Sequence, residues 1–283
     1  MLYYVRFEIT VNKPKLQANS LTKQVKFNWA NGSPFIKQVA RIGLLSLKAR
    51  YRNTIAGFIW VACSPIIRFL THLFIFSHVL KLPVRGYPLF LLSGLMPWFF
   101  ATQSIQTCST QLVTQGSLLR NTQNHPLVFL LPEIMINVIT LFVTFYTAAA
   151  VIAISTPISW AAVTLFPLAC IPLAIAVTGT SWLVATSQVF FRDTAFILPF
   201  SIQIGFLITP IFYSIEMVPE HLRGWFLLNP LFYLLRPFQL LVNNPNLSEF
   251  FVLWSQAMAI GVALLCAAYG VWMHCRTRVA FHV

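Results

Sequence analysis

The chain has 283 residues, 58% of them hydrophobic and 9% charged, with a formal net charge of +13. That much apolar surface is more than one soluble core of this length can hide, which excludes an ordinary soluble globular domain. The apolar runs extend over about 20 residues, enough for a helix to cross about 30 Å of hydrocarbon. Barrel strands would instead alternate apolar and polar residues in runs of about ten, so the expected fold class is an all-α integral membrane protein.

Residues 1–34 are polar and mixed, broken by Pro14, Gly32 and Pro34, and read as a cytoplasmic N-terminal extension ahead of a membrane domain over 35–283. They lack the short basic stretch followed by an apolar run that marks a cleaved signal. Ten of the 19 Lys and Arg lie within residues 1–57. The positive-inside rule explains this excess more simply than nucleic-acid binding, so a cytoplasmic N-terminus and no nucleic-acid partner are expected. Over 35–53, Lys37, Arg41, Lys48 and Arg52 fall on one helical stripe, with Ile36, Val39, Ile42 and Leu47 opposite. This predicts an amphipathic helix lying along the inner leaflet with its cations among headgroups.

Six spans are predicted, at about 58–80, 87–108, 133–154, 161–184, 196–213 and 250–272. Six crossings return the C-terminus, with Arg276 and Arg278, to the cytoplasmic side. On this drawing 14 Lys and Arg are cytoplasmic, four are external (Lys81, Arg85, Arg223 and Arg236) and Arg68 lies within a span. Between spans five and six, residues 214–247 hold apolar stretches too short to cross, punctuated by Pro219, Pro230 and Pro237. They predict external re-entrant helices dipping into the outer leaflet.

The chemistry-bearing residues are sparse. The six acids form no DxD or HExxH pattern, and no Ser or Cys nucleophile has a His and an acid near it in sequence. Cys63, Cys108, Cys170, Cys266 and Cys275 have no CxxC pair and no His at metal spacing, and are expected to pack as small apolar residues. Neither a catalytic site nor a metal or other cofactor is expected. Ion-coupled transport usually places an acid within a span; here Glu133 and Glu249 are expected at helix N-termini, where the dipole favours a carboxylate. A phosphate-binding GxxxxGK[ST] loop is missing, so uphill transport would need a separate ATPase.

Arg68 is the notable intramembrane charge, costing about 2.5–3.5 kcal/mol at a helix centre. With His72 and Phe76 at i+4 and i+8 it forms a face that could line a pathway for an anionic or hydroxyl-rich substrate. Pairing with backbone carbonyls or a neighbouring span would satisfy it equally well. Trp60, Tyr87, Trp98, Phe99 and Phe100 give the first two spans an aromatic excess suited to sugar rings, to an interfacial belt or to core packing.

One ordered series of residues is far more specific than any single piece. It runs Arg50-Tyr51-Arg52, Gly57-Phe58-Ile59-Trp60 and Pro65, then Tyr87-Pro88-Leu89-Phe90 through Ser93-Gly94-Leu95-Met96-Pro97-Trp98. It continues with Phe190-Phe191-Arg192-Asp193, Thr209-Pro210-Ile211-Phe212-Tyr213, Val218-Pro219-Glu220 and Leu228-Asn229-Pro230-Leu231. The series resembles the type-2 ABC exporter permeases for O-antigen, capsule and teichoic acid, and covers nearly everything from Ala40 to Arg278.

The resemblance implies a permease subunit, not an enzyme, that moves lipid-linked polysaccharide across a bacterial inner membrane. It implies a homodimer with two ATP-binding ABC subunits on the cytoplasmic side and both permease termini there. It also implies that the 109–126 stretch, with Leu118, Leu119, Arg120 and Asn124, couples to the ATPase. The run Asn121-Thr122-Gln123-Asn124-His125 departs from the basic residues relatives often carry before the proline. The substrate pathway is expected at Trp60, Arg68, His72, Phe76, Tyr87, Trp98 and Phe99. Lipid pyrophosphate is expected at Arg68 or at the basic helix bearing Lys37, Arg41, Lys48 and Arg52. A small-molecule or drug exporter would share this topology, whereas a membrane glycosyltransferase or acyltransferase would turn over without an ATPase.

Overall fold

The computed structural model describes residues 34–51, 59–79, 86–116, 119, 125–154, 157–243 and 246–282. Its regular elements are helices: α1 Pro34–Tyr51, α2 Ile59–Phe74 continuing as a π-turn Ile75–Val79, α3 Tyr87–Ser109, α4 Gln111–Thr114 and α5 Leu127–Ile152. After them come α6 Trp160–Phe190, α7 Thr194–Ile208, α8 Glu220–Leu227, α9 Pro230–Asn243 and α10 Leu247–His282, with a 3₁₀ turn at Ile215–Met217. Among the described residues there is no strand.

The bundle is built around α3, whose stretch from Leu89 to Ala101 is apolar on nearly every side and therefore at home inside other helices. Gly86 starts it in a left-handed conformation (φ 64°), and Pro88 sits in its first turn, where no backbone donor is needed. Leu91, Leu92, Leu95 and Met96 are buried within it, and α5, α6 and α9 pack around it. Phe166 of α6 links them, stacked on Phe145 of α5 at 3.6 Å between ring centroids and edge-on to Phe238 of α9 at 5.3 Å.

Among the described residues the most extensive helix contact is that of α6 with α10. A Cβ on Gly179 would lie 2.6 Å from the Leu265 amide nitrogen, and one on Gly261 2.8 Å from the Pro172 carbonyl oxygen. Lipid gives helices no hydrophobic reason to associate, so close backbone approach through small residues does that work.

Two prolines inside α6 carry a cost that the bundle offsets. Pro167 and Pro172 cannot donate to the carbonyls four residues earlier. The Tyr146 hydroxyl of α5 donates to the Val163 carbonyl at 3.0 Å, and the Trp254 indole of α10 donates to the Leu168 carbonyl at 2.8 Å. Both freed acceptors are satisfied by neighbouring helices, as a chain surrounded by lipid requires.

Three of these helices are long and apolar enough to cross a membrane: α5, α6 and Leu247–Val279 of α10. The pair α8 and α9, bent by 100° between them, would make a fourth. At the first and fifth predicted spans the apolar helices are shorter, Cys63–Val79 and Thr194–Ile208. The second predicted span is the buried α3, 23 residues long with a polar last turn. Span three begins earlier than expected, because the chain turns at Pro126 and α5 starts at Leu127. Glu133 is consequently the seventh residue of α5 and buried, beyond the first turn where the dipole acts, which corrects the capping role expected for it. Glu249 does occupy the first turn of α10.

Candidate functional site

On α1, Arg41 and Lys48 are exposed, Val39 is buried, and Ile42 and Leu47 are half-buried, but Ile36, expected on the apolar face, is exposed, as are Leu44 and Leu45. Its inner face lies on α5, where a Cβ on Gly43 would meet Pro132 at 3.7 Å. Lys37 lies on the same helix; Arg52 is outside the described residues. So are Leu118, Arg120 and Asn124 of the expected coupling stretch, while Leu119 packs half-buried against the core.

The expected pathway residues divide into two groups. Arg68, His72, Phe76 and Phe99 come together, whereas Trp60 is exposed one helix end away. The His72 Nδ1–H donates to the Arg68 carbonyl at 2.7 Å, which fixes the imidazole along α2. Its ring meets Phe76 at 6.1 Å, Phe99 at 5.8 Å and Phe206 of α7 at 6.0 Å. Phe76 stacks on Phe212 at 4.6 Å, and Phe212 leans on Phe206 at 5.4 Å. Tyr87 and Trp98 support this ladder from behind. Tyr87 is buried and donates its hydroxyl to the Phe212 carbonyl at 3.0 Å, and Trp98 is buried against Phe206 at 6.0 Å. Phe206 went unnoticed in the sequence because α7 is apolar throughout, and no periodicity separates one Phe from the next.

The loop that carries Phe212 is held firmly. Gln239 donates to the Pro210 carbonyl at 2.8 Å, Asn229 to the Thr209 hydroxyl at 3.0 Å, and Ile211 is fully buried. A Cβ on Gly94 of α3 would come within 2.7 Å of the Ile211 carbonyl oxygen, so the loop backbone rests directly on α3.

Arg68 is exposed. Its guanidinium carbon lies 5.3 Å from the Phe99 ring centroid, and Nη2 is 3.5 Å from the Ser64 hydroxyl. Among the described residues no carboxylate lies within ion-pair distance of it. The side chain borders a small cleft, with about 40 Å³ of free space, between α2, α3 and α5, which Gln103, Asn137 and Thr140 also line. Asn137 is anchored at its floor, donating to the Ser104 hydroxyl at 3.1 Å. The arrangement offers a cation, an amide and a hydroxyl to one small polar group and suits binding rather than bond-making. Among the described residues no group of His, Cys, Asp and Glu is placed to hold a metal.

The sequence profile of the ABC-2 type transporters matches residues 37–242, from α1 to the last turn of α9. The chain belongs to the ABC-2 type transporter family. It is 28% identical over 194 residues to the O-antigen export system permease protein RfbA of Klebsiella pneumoniae, covering 65% of this chain and 72% of that protein. A second Klebsiella pneumoniae protein of that name is 27% identical over 188 residues, with the same shares of the two chains covered. The protein of that name from Myxococcus xanthus is 26% identical over 238 residues, covering 83% and 90%. As an ABC-2 permease the chain is a multi-pass transporter subunit, and its family implies partnership with ATP-binding ABC subunits.

Proposed function

We propose that this permease exports lipid-linked polysaccharide of the O-antigen or capsule type across the bacterial inner membrane, as a homodimer driven by two ATP-binding subunits. The observation that carries the reading is that the three relatives, matched over 65% to 83% of this chain, are all permeases of O-antigen export systems. Six crossings place both termini and the 109–126 coupling stretch on the cytoplasmic side, with α8 and α9 as re-entrant helices on the outside. Exposed Phe196, Phe200 and Ile204 on α7 and Ile67 and Leu70 on α2 supply apolar surface for lipid or for the second permease copy.

A chain many sugars long cannot be enclosed, so it is threaded. ATP-driven movement admits the lipid end from the inner leaflet, and the polymer slides along aromatic side chains that stack weakly and repeatedly. Trp60, His72, Phe76 and Phe99 would line this route, with Tyr87 and Trp98 holding its wall in place. Arg41 and Lys48, exposed on α1, gather the anionic headgroup, together with Lys37 and Arg52. Arg68 is the cation deeper in the path.

The test is transport into inverted vesicles holding the permease and its ATPase partner, supplied with ATP and lipid-linked polysaccharide. ATP-dependent protection of the polymer from an added glycosidase is expected; a polymer that stays fully digestible would overturn the reading.

A further inference from the structure

We propose that the cleft between α2, α3 and α5 is a recognition site for the junction between lipid phosphate and first sugar, with Arg68 on the phosphate and Gln103 and Thr140 on the sugar hydroxyls. The inference rests on the exporter reading and adds to it what part of the substrate is read, and by which side chains.

Three observations lead there. First, Arg68 is exposed on a membrane helix with one long contact to Ser64 and the face of Phe99 for company. Its five N–H donors are mostly unused, and a guanidinium matches phosphate oxygens in a bidentate fork. Lying over an aromatic ring offsets part of the cost of the charge while leaving those donors at the edge free for a ligand.

Second, the polar groups beside it have hydrogen-bonding capacity to spare. The Thr140 hydroxyl donates to the Ile136 carbonyl at 2.9 Å, so its lone pairs remain to accept from a sugar hydroxyl. Gln103, half-buried in the C-terminal half of α3, brings both a donor and an acceptor. Asn137 donates to Ser104, which fixes its amide in the wall of the cleft.

Third, the size is that of one small group. With about 40 Å³ of free space the cleft seats one small polar group against its wall, the rest of a larger ligand lying outside its mouth, and no repeating polymer. A site that reads only the junction leaves the rest of the chain unread, which suits a transporter that must let the polymer slide.

The experiment uses the permease purified with its ATPase partner in nanodiscs, and three probes: polyprenyl pyrophosphate, the same lipid carrying one sugar, and phosphatidylglycerol. In the wild type the monosaccharide lipid is expected to bind at least fivefold more tightly than bare polyprenyl pyrophosphate. Thr140→Val keeps the side-chain shape and is expected to abolish that preference while leaving bare pyrophosphate binding unchanged. Arg68→Gln is expected to weaken both pyrophosphate lipids at least tenfold, and Arg68→Lys less.

Equal affinity of wild type and Thr140→Val for the sugar-bearing lipid would overturn the proposal. Full competition by phosphatidylglycerol would overturn it too, since the cleft would then be a general phospholipid site. Vesicle transport separates this failure from failure of the export reading. A wild type that exports polysaccharide while Arg68→Gln exports and binds equally well overturns the junction site alone. A wild type that exports no polysaccharide removes the reading beneath it.

Discussion

Pro167 and Pro172 each free a carbonyl in α6, and each carbonyl is taken up by an aromatic donor from another helix. An unsatisfied carbonyl in a dry interior costs about 1–3 kcal/mol. Tyr146→Phe removes only the donor, so unfolding in mild detergent should occur at a lower temperature by that much free energy, with α-helical content unchanged. The donors come from 17 and 86 residues away in sequence, which is why no local pattern announces them.

His125, just ahead of α5 and still open to solvent on one side, packs edge-on against Trp182 at 5.2 Å, and this partial desolvation lowers its pKa from the usual 6.5. The fold therefore favours neutral imidazole, and the unfolded chain binds the proton more readily. The resulting stability is present above about pH 6.5 and is lost as pH falls through the interval between that value and the lower folded pKa. Thermal stability measured from pH 7.5 to 5.5 should fall in the wild type and fall less in His125→Gln.

At the scale of helices, the contact of α6 with α10 depends on two positions without a side chain. Gly179→Leu would drive carbon atoms into the Leu264–Leu265 backbone, which cannot give way as a flexible side chain would. Overpacking of this kind costs about 1–3 kcal/mol or more. The variant should aggregate on extraction or melt several degrees lower, while Gly224→Ala on α8, with open space around it, should behave as wild type.

Most helices were legible in the sequence because a lipid-crossing run must be apolar throughout. Their ends were not, since α6 continues to Phe190 and α10 to His282, beyond the residues that apolarity alone marks out. Glu133 illustrates the difference. Its place in the sequence suggested a helix start, and the turn at Pro126 moved that start six residues earlier. The cluster of Arg68, His72 and Phe76 was legible as a single helix face. Its partners Phe206 and Gln103 were not, because they sit on other helices and only packing brings them to the same place.

For the whole molecule, the proposed topology places α8 outside and α4 inside. In a background lacking the five native cysteines, Glu220→Cys should react with a membrane-impermeant maleimide applied to intact spheroplasts, and Gln115→Cys only after permeabilisation. The reverse pattern would invert the drawing and remove the coupling stretch from the side where ATP is found. On the proposed reading this chain is the passive half of an ATP-driven machine. The most direct measurement is gentle purification from its native membrane, with mass spectrometry of the protein and lipid that come with it. Recovery of a Walker-motif ATPase in equal amount, with a polyprenyl-linked glycan bound, is the predicted result. Recovery of the permease alone across several detergents, with no ATPase and no glycolipid, would contradict it.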